Sequence, residues 1–340
     1  MKGGSPQRSQ AADPFRSLRR RRDALRGRAA AAFAESVESA GLTRLESFAA
    51  ALECGIVAER RFRAWAPGRD RAATSGLAGW LEAGSGPGVV LVNGWSLSGL
   101  VWPAEFLDVV AVTRRVVRMD NRGTGQRRSD RSLFTIADLA RDVRDVIEAA
   151  ALGSPTVVGF SLGGMIAAEL ALRWPDHVGG LVLVSARPPS PARVGARPGI
   201  VGRALTPPTT DRPLADEFRD RWVRVSAPGF ADRHPERLEE MASAALAPVT
   251  PRRTVLAQAR AVGAWRGADR LDNLAVPCTV VHGALDPLSP AENSRRLAAL
   301  IPDARYVELD GVGHLVPQEA PERLAELVTA DYHMTNEEHR

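Results

Sequence analysis

The chain has 340 residues, 44% of them apolar, and a formal net charge of +5. That length suits one large α/β domain with an insertion or two small domains. No run nears the roughly 18 apolar residues of a membrane helix, so no membrane partner is expected. Two distant cysteines, Cys54 and Cys278, and six scattered histidines make neither a disulfide framework nor a metal-ligand set. No metal and no cofactor is expected.

The charge is unevenly placed. Residues 1–30 hold nine Lys/Arg against Asp13 and Asp23, and Lys2 is the only lysine. This basic arm carries no nucleic-acid motif and is read as a solvated tail, with no nucleic-acid partner. Arg19 to Arg22 are followed by no hydrophobic region or small-residue cleavage site, so a cytoplasmic protein is expected. Residues 1–58 form a helix-prone leader, with Ser47 to Leu52 as one amphipathic helical piece.

From Gly76 the texture changes to short apolar runs alternating with helical patterns. The runs are Gly88–Val92, Arg115–Met119, Thr156–Gly159, Gly180–Val184, Cys278–Val281 and Ala304–Leu309. Short, β-branched and bounded by Gly, Pro or Asp, they read as buried parallel strands. Between the second and third runs, Thr135 caps a helix on which Ile136, Leu139, Val143, Val146 and Ile147 share a face; Gly153 is its expected end. A helix follows Ser161 as far as Trp174, and another runs from Pro321 through Leu327. This alternation predicts an α/β fold with a mostly parallel, doubly wound sheet. It breaks over residues 187–273, where three helical stretches without a strand suggest an inserted lid. The expected layout is a core of 59–186 and 274–332, the lid between, and a tail of 333–340.

Three loops carry the candidate chemistry. Gly159-Phe160-Ser161-Leu162-Gly163-Gly164 follows a strand and opens a helix, the context in which Gly-x-Ser-x-Gly means a nucleophile elbow. A serine hydroxyl needs a base. His314, in a glycine-rich loop after the last run, supplies it, with His282 as competitor at a strand end. Asp286, also just past a strand, is the acid that would fix the tautomer of His314. Asp310 and Asp303 are the alternatives, and both read as turn residues. Donors for an oxyanion are the amides of Trp95, after Asn93-Gly94, and of Leu162. Asn93, Gly94, Gly159 and Gly163 would support them.

Residues 76–330 resemble the α/β-hydrolase superfamily, in its esterase, methylesterase and perhydrolase-like branch. The likeness lies in Asp120-Asn121-Arg122-Gly123-Thr124-Gly125, in the elbow with Met165 and Trp174-Pro175-Asp176, in Gly283-Ala284-Leu285-Asp286-Pro287 and in Gly313-His314. Two features depart from the pattern. Asn93-Gly94 stands where the family has His-Gly, which implies altered loop support, and the leader has no counterpart. Ser161 speaks against the dehalogenases and epoxide hydrolases, which place aspartate there. Leu162 after the serine speaks against iminopeptidases.

The expectation is a serine hydrolase cleaving a small-molecule carboxylic ester. The alternative is a thioesterase or acyltransferase acting on an acyl-carrier protein or CoA thioester. It draws on 15 arginines against nine acids over residues 187–270, a charge that suits an acidic carrier. A third reading is a ligand-binding scaffold that keeps the fold without turnover.

Overall fold

A computed structural model describes residues 62–63, 80–127, 129, 133–195, 213–246 and 249–330. The leader helix expected at Ser47 to Leu52 lies outside them. Eight strands form one sheet: β1 (Phe62–Arg63), β2 (Trp80–Ala83), β3 (Gly88–Val92), β4 (Arg115–Met119), β5 (Thr156–Phe160), β6 (Gly180–Val184), β7 (Cys278–Gly283) and β8 (Arg305–Leu309). Their order is β1-β2-β4-β3-β5-β6-β7-β8. From β4 to β8 every pairing is parallel, while β1 and β2 add an antiparallel edge.

The expected parallel runs all appear, within a residue or two of their ends. The antiparallel edge was not foreseen. Trp80-Leu81-Glu82-Ala83 has no β-branched residue, and its place is set by its partner: Trp80 lies opposite Met119, and Glu82 accepts from Arg115 Nε at 2.8 Å. Edge strands of this kind are decided by neighbours rather than by propensity.

Side chains alternate between two buried layers. Val90, Val92, Val157, Leu181 and Leu183 face one, with α2 (Ile136–Ala149) and α3 (Leu162–Arg173). Val89, Leu91, Val158, Val182 and Val184 face the other, with α1 (Ala104–Val110) and α10 (Pro321–Thr329). Each such fully buried Val or Leu contributes about 1.5–3 kcal/mol of hydrophobic stabilisation. Thr135 caps α2 reciprocally with Asp138, its Oγ1 accepting from Asp138 N at 3.1 Å. The helix stops at Ala149, short of Gly153, because Ala151 already takes the left-handed turn at φ 51°.

Between β6 and β7 the chain forms α4 (Leu214–Val223), α5 (Phe230–Arg233), α6 (Pro235–Leu246) and α7 (Arg252–Ala264). Helix α8 (Glu292–Ala299) follows β7 and α9 (Val316–Glu319) follows β8. Among the described residues no helix is long and apolar enough to cross a membrane.

Because β3 lies between β4 and β5, consecutive connections leave it in opposite directions. The carboxyl ends of β3 and β5 therefore mark the topological switch point, the position at which doubly wound sheets place their ligands.

Candidate active site

Ser161 stands at the end of β5 with φ 53° and ψ −111°, a region a non-glycine residue enters only under constraint. The constraint is close packing. A Cβ on Gly159 would lie 2.4 Å from the Gly163 carbonyl oxygen, and one on Gly163 would lie 2.1 Å from that of Val92. Glycine at both positions lets the turn close. Ser161 N–H donates to the Val184 carbonyl at 2.7 Å. Its hydroxyl makes no capping bond to α3, although Ser161 occupies the N-cap position.

That hydroxyl lies 3.2 Å from His314 Nε2, and His314 Nδ1 lies 2.7 Å from Asp286 Oδ2. A carboxylate oxygen only accepts, so the hydrogen sits on Nδ1 and leaves Nε2 to accept from Ser161. His314 and Asp286 are 4% and 5% exposed. Burial pushes the Asp286 carboxyl upward. The charge of His314, then hydrogen bonds from His282 and His314, outweigh it and hold the group well below the usual carboxylate range. Asp286 Oδ1 also accepts from the amides of Leu288 and Ser289, each at 2.8 Å. The acid and base loops touch backbone to backbone: a Cβ on Gly283 would lie 2.1 Å from the Gly313 carbonyl oxygen.

Two further residues hold this arrangement, and neither role was read from the sequence. His282, weighed there only as a rival base, is fully buried in β7. Its Nε2 lies 2.9 Å from the Ser289 carbonyl and 3.2 Å from Asp286 Oδ2. Both are acceptors, so Nε2 carries the hydrogen; it donates to the nearer Ser289 carbonyl, with the acid beside it. Glu319 on α9 accepts from the amides of Gly313 (2.8 Å), Leu315 (3.0 Å) and Ala227 (2.9 Å). It thereby grips the chain on both sides of His314. Its only sequence signal is its spacing of five residues from the histidine. Asp310 and Asp303 are exposed turn residues.

The loop after β3 lies beside the elbow, since Gly163 also closes on the Asn93 carbonyl oxygen, 2.9 Å from where its Cβ would be. Neither the Trp95 nor the Leu162 amide donates to another group among the described residues. Fully buried Asn93 braces the loop: its Nδ2 donates to the Met119 carbonyl at 2.6 Å and its Oδ1 accepts from Trp102 Nε1 at 2.6 Å. Asn121 Nδ2 donates to the Asn93 carbonyl at 3.0 Å. Gly94 packs against the Phe160 ring. The Trp95 indole donates to the Val255 carbonyl at 2.9 Å. Among the described residues no group of three His, Cys, Asp or Glu could hold a metal ion. An acceptor-poised imidazole beside a serine hydroxyl can support acyl transfer.

Comparison with known proteins identifies the family. The model of the alpha/beta hydrolase family matches residues 89–327. The chain is 29% identical over 269 residues to rhodomycin D methylesterase of Streptomyces peucetius, covering 71% of this chain and 89% of the relative. It is 31% identical over 262 residues to a pimeloyl-[acyl-carrier protein] methyl ester esterase of Aromatoleum aromaticum, covering 71% and 96%. Among solved structures, a thermophilic esterase from Thermogutta terrifontis aligns with a TM-score of 0.60 at 26% identity, over 73% of this chain and 90% of that one. With a family match across most of its length and the fold to go with it, the chain belongs to the α/β-hydrolase family and is an enzyme.

Proposed function

We propose that this enzyme hydrolyses a carboxylic ester through an acyl-enzyme on Ser161. The observation that carries the reading is the continuous hydrogen-bond path from Ser161 Oγ through His314 to Asp286. As Ser161 attacks the ester carbonyl carbon, His314 Nε2 takes its proton, and Asp286 stabilises the resulting imidazolium. The Trp95 and Leu162 amides receive the carbonyl oxygen as it gains charge. Collapse expels the alcohol, which takes the proton from His314. Water then enters by the same route and releases the acid. The helices α4 to α7, between β6 and β7, serve as a lid over this site. A cytoplasmic location goes with the reading and rests on the sequence.

Methyl esters are the substrate class we favour, because two of the relatives are methyl ester esterases. One of them acts on an ester whose acyl group rides on a carrier protein. That favours the carrier half of the second reading, in which the enzyme is a thioesterase or acyltransferase acting on an acyl group held by a carrier protein or CoA.

The test is a fluorophosphonate probe followed by peptide mapping, beside turnover of free methyl esters, p-nitrophenyl esters, acyl-CoA and acyl-carrier substrates. One label per chain at Ser161 with turnover of free esters supports the first reading. Labelling at another residue, or no turnover of any ester, overturns it. Turnover confined to carrier substrates selects the second.

A further inference from the structure

We infer that Gln258 is a positioning residue for the oxyanion loop, and that α7 assembles that loop rather than only covering the site. This rests on the reading that the Trp95 amide receives the developing negative charge.

Ser96 follows Trp95 directly and stands at φ 60°, the left-handed region that disfavours residues with a side chain. Such a conformation persists only where its surroundings over-determine it. Here the inserted segment does so. Ser96 N–H donates to Gln258 Oε1 at 2.8 Å, and the Ser96 carbonyl accepts from Thr250 Oγ1 at 2.9 Å. One residue earlier, the Trp95 indole is tied to the Val255 carbonyl. Three hydrogen bonds from residues 250–258 thus fix two consecutive residues more than 150 positions away in the chain. The direction of the Trp95 N–H depends on the torsions around it. With the indole held on one side and both polar groups of Ser96 on the other, that direction has little freedom.

The glutamine itself points to this role. It is fully buried, yet only one end of its carboxamide is matched: Nε2 has no hydrogen-bond partner among the described residues. A buried donor left unmatched is destabilising, so packing alone would favour an apolar side chain here. What Gln258 supplies is the acceptor that Ser96 requires. Helix α7 also seats against the loop after β4, where a Cβ on Gly123 would lie 2.6 Å from Thr254 Oγ1. It therefore touches both the loop after β3 and the loop after β4.

The test uses the full chain with Gln258→Met, which keeps the length and removes the acceptor, and Thr250→Val, which removes the donor to the Ser96 carbonyl. kcat and KM for a short p-nitrophenyl ester are measured, with the inhibition constant of a trifluoromethyl ketone that forms an oxyanion on binding. Removing an oxyanion donor outright lowers kcat by about 10²–10³, so loosening its support should lower it by about 10–100-fold in Gln258→Met. KM should stay within about two-fold, and the ketone should weaken by the same factor as kcat. Thr250→Val should move both quantities the same way by less, and it decides the matter if Gln258→Met does not fold. A loss confined to KM, or an unchanged kcat and ketone affinity, overturns the inference. Ser161→Ala is measured alongside: if it stays active, the underlying reading of the site fails instead.

Discussion

His282 Nε2 lies 3.2 Å from Asp286 Oδ2, the same carboxylate oxygen that His314 Nδ1 reaches at 2.7 Å. Two imidazoles, one on β7 and one in the loop after β8, therefore lie against one acceptor, and only His314 also reaches Ser161. Replacing His282 by Phe should leave a ring of similar size and remove the N–H beside the acid. Its kcat should fall about ten-fold, the equivalent of one hydrogen bond of about 1–1.5 kcal/mol. Asp286→Asn should cost about 10⁴ by turning His314 into the wrong tautomer, and Asp310→Asn should do little. Steady-state kinetics on the three variants give the ranking, and an Asp310 effect above that of Asp286 would reverse the assignment.

Ser161→Ala should lower kcat by about 10⁴–10⁶, with far-UV circular dichroism unchanged. Retention of more than a few per cent of the activity would place the nucleophile elsewhere.

Glu319 is one carboxylate serving three amides around His314. Burial lifts its carboxyl above the usual range, although those amides and the charge of His314 pull the other way. Glu319→Gln puts an NH2 donor where one acceptor oxygen was, facing amide donors. Leaving such groups unmatched should cost about 1–3 kcal/mol of stability and lower kcat as His314 loses its position. Thermal denaturation and single-turnover rates, measured on the same preparation, check both expectations; an unchanged rate would confine Glu319 to the fold.

Asp286 also predicts a pH dependence of stability. Its folded-state pKa is depressed, so its carboxylate stabilises the fold above the unfolded value of about 3.9 and loses that contribution as pH falls through the folded value. The stability difference between the wild type and Asp286→Asn should therefore shrink as pH is lowered from about 5 toward 2. Urea unfolding at three pH values measures it, and a difference that grows with acid would contradict the assignment.

Salt separates the two substrate readings. Several arginines of the segment between β6 and β7 are already ion-paired: Arg219 with Asp216 and Glu239, Arg224 with Asp220, and Arg270 with Glu169. Pairing shrinks the field a distant carrier would feel. For a neutral ester, kcat/KM should change less than about two-fold between 0.01 and 0.15 M salt, while the Debye length falls from about 30 to 8 Å. A carrier substrate that is strongly preferred and loses ten-fold or more over that range would favour the second reading.

The parallel strands and the three site loops were legible because their signals are local. β-branched runs between turn residues mark buried strands. Gly159 and Gly163 bracket Ser161 because the elbow admits no side chain there. Asp286 and His314 each stand just past a strand, at the sheet edge to which Ser161 also comes. Trp80–Ala83 carried no such signal, since an antiparallel edge is chosen by the strand already waiting beside it.

Chain order and composition thus determined the class of fold and which hydroxyl, imidazole and carboxylate to watch. The tertiary structure decided what holds them. Glu319 reaching the Ala227 amide across 92 positions and Gln258 reaching Ser96 across 162 are relations between distant segments. Nothing in local spacing encodes them, because a buried polar group finds its partner only when the chain has packed around it.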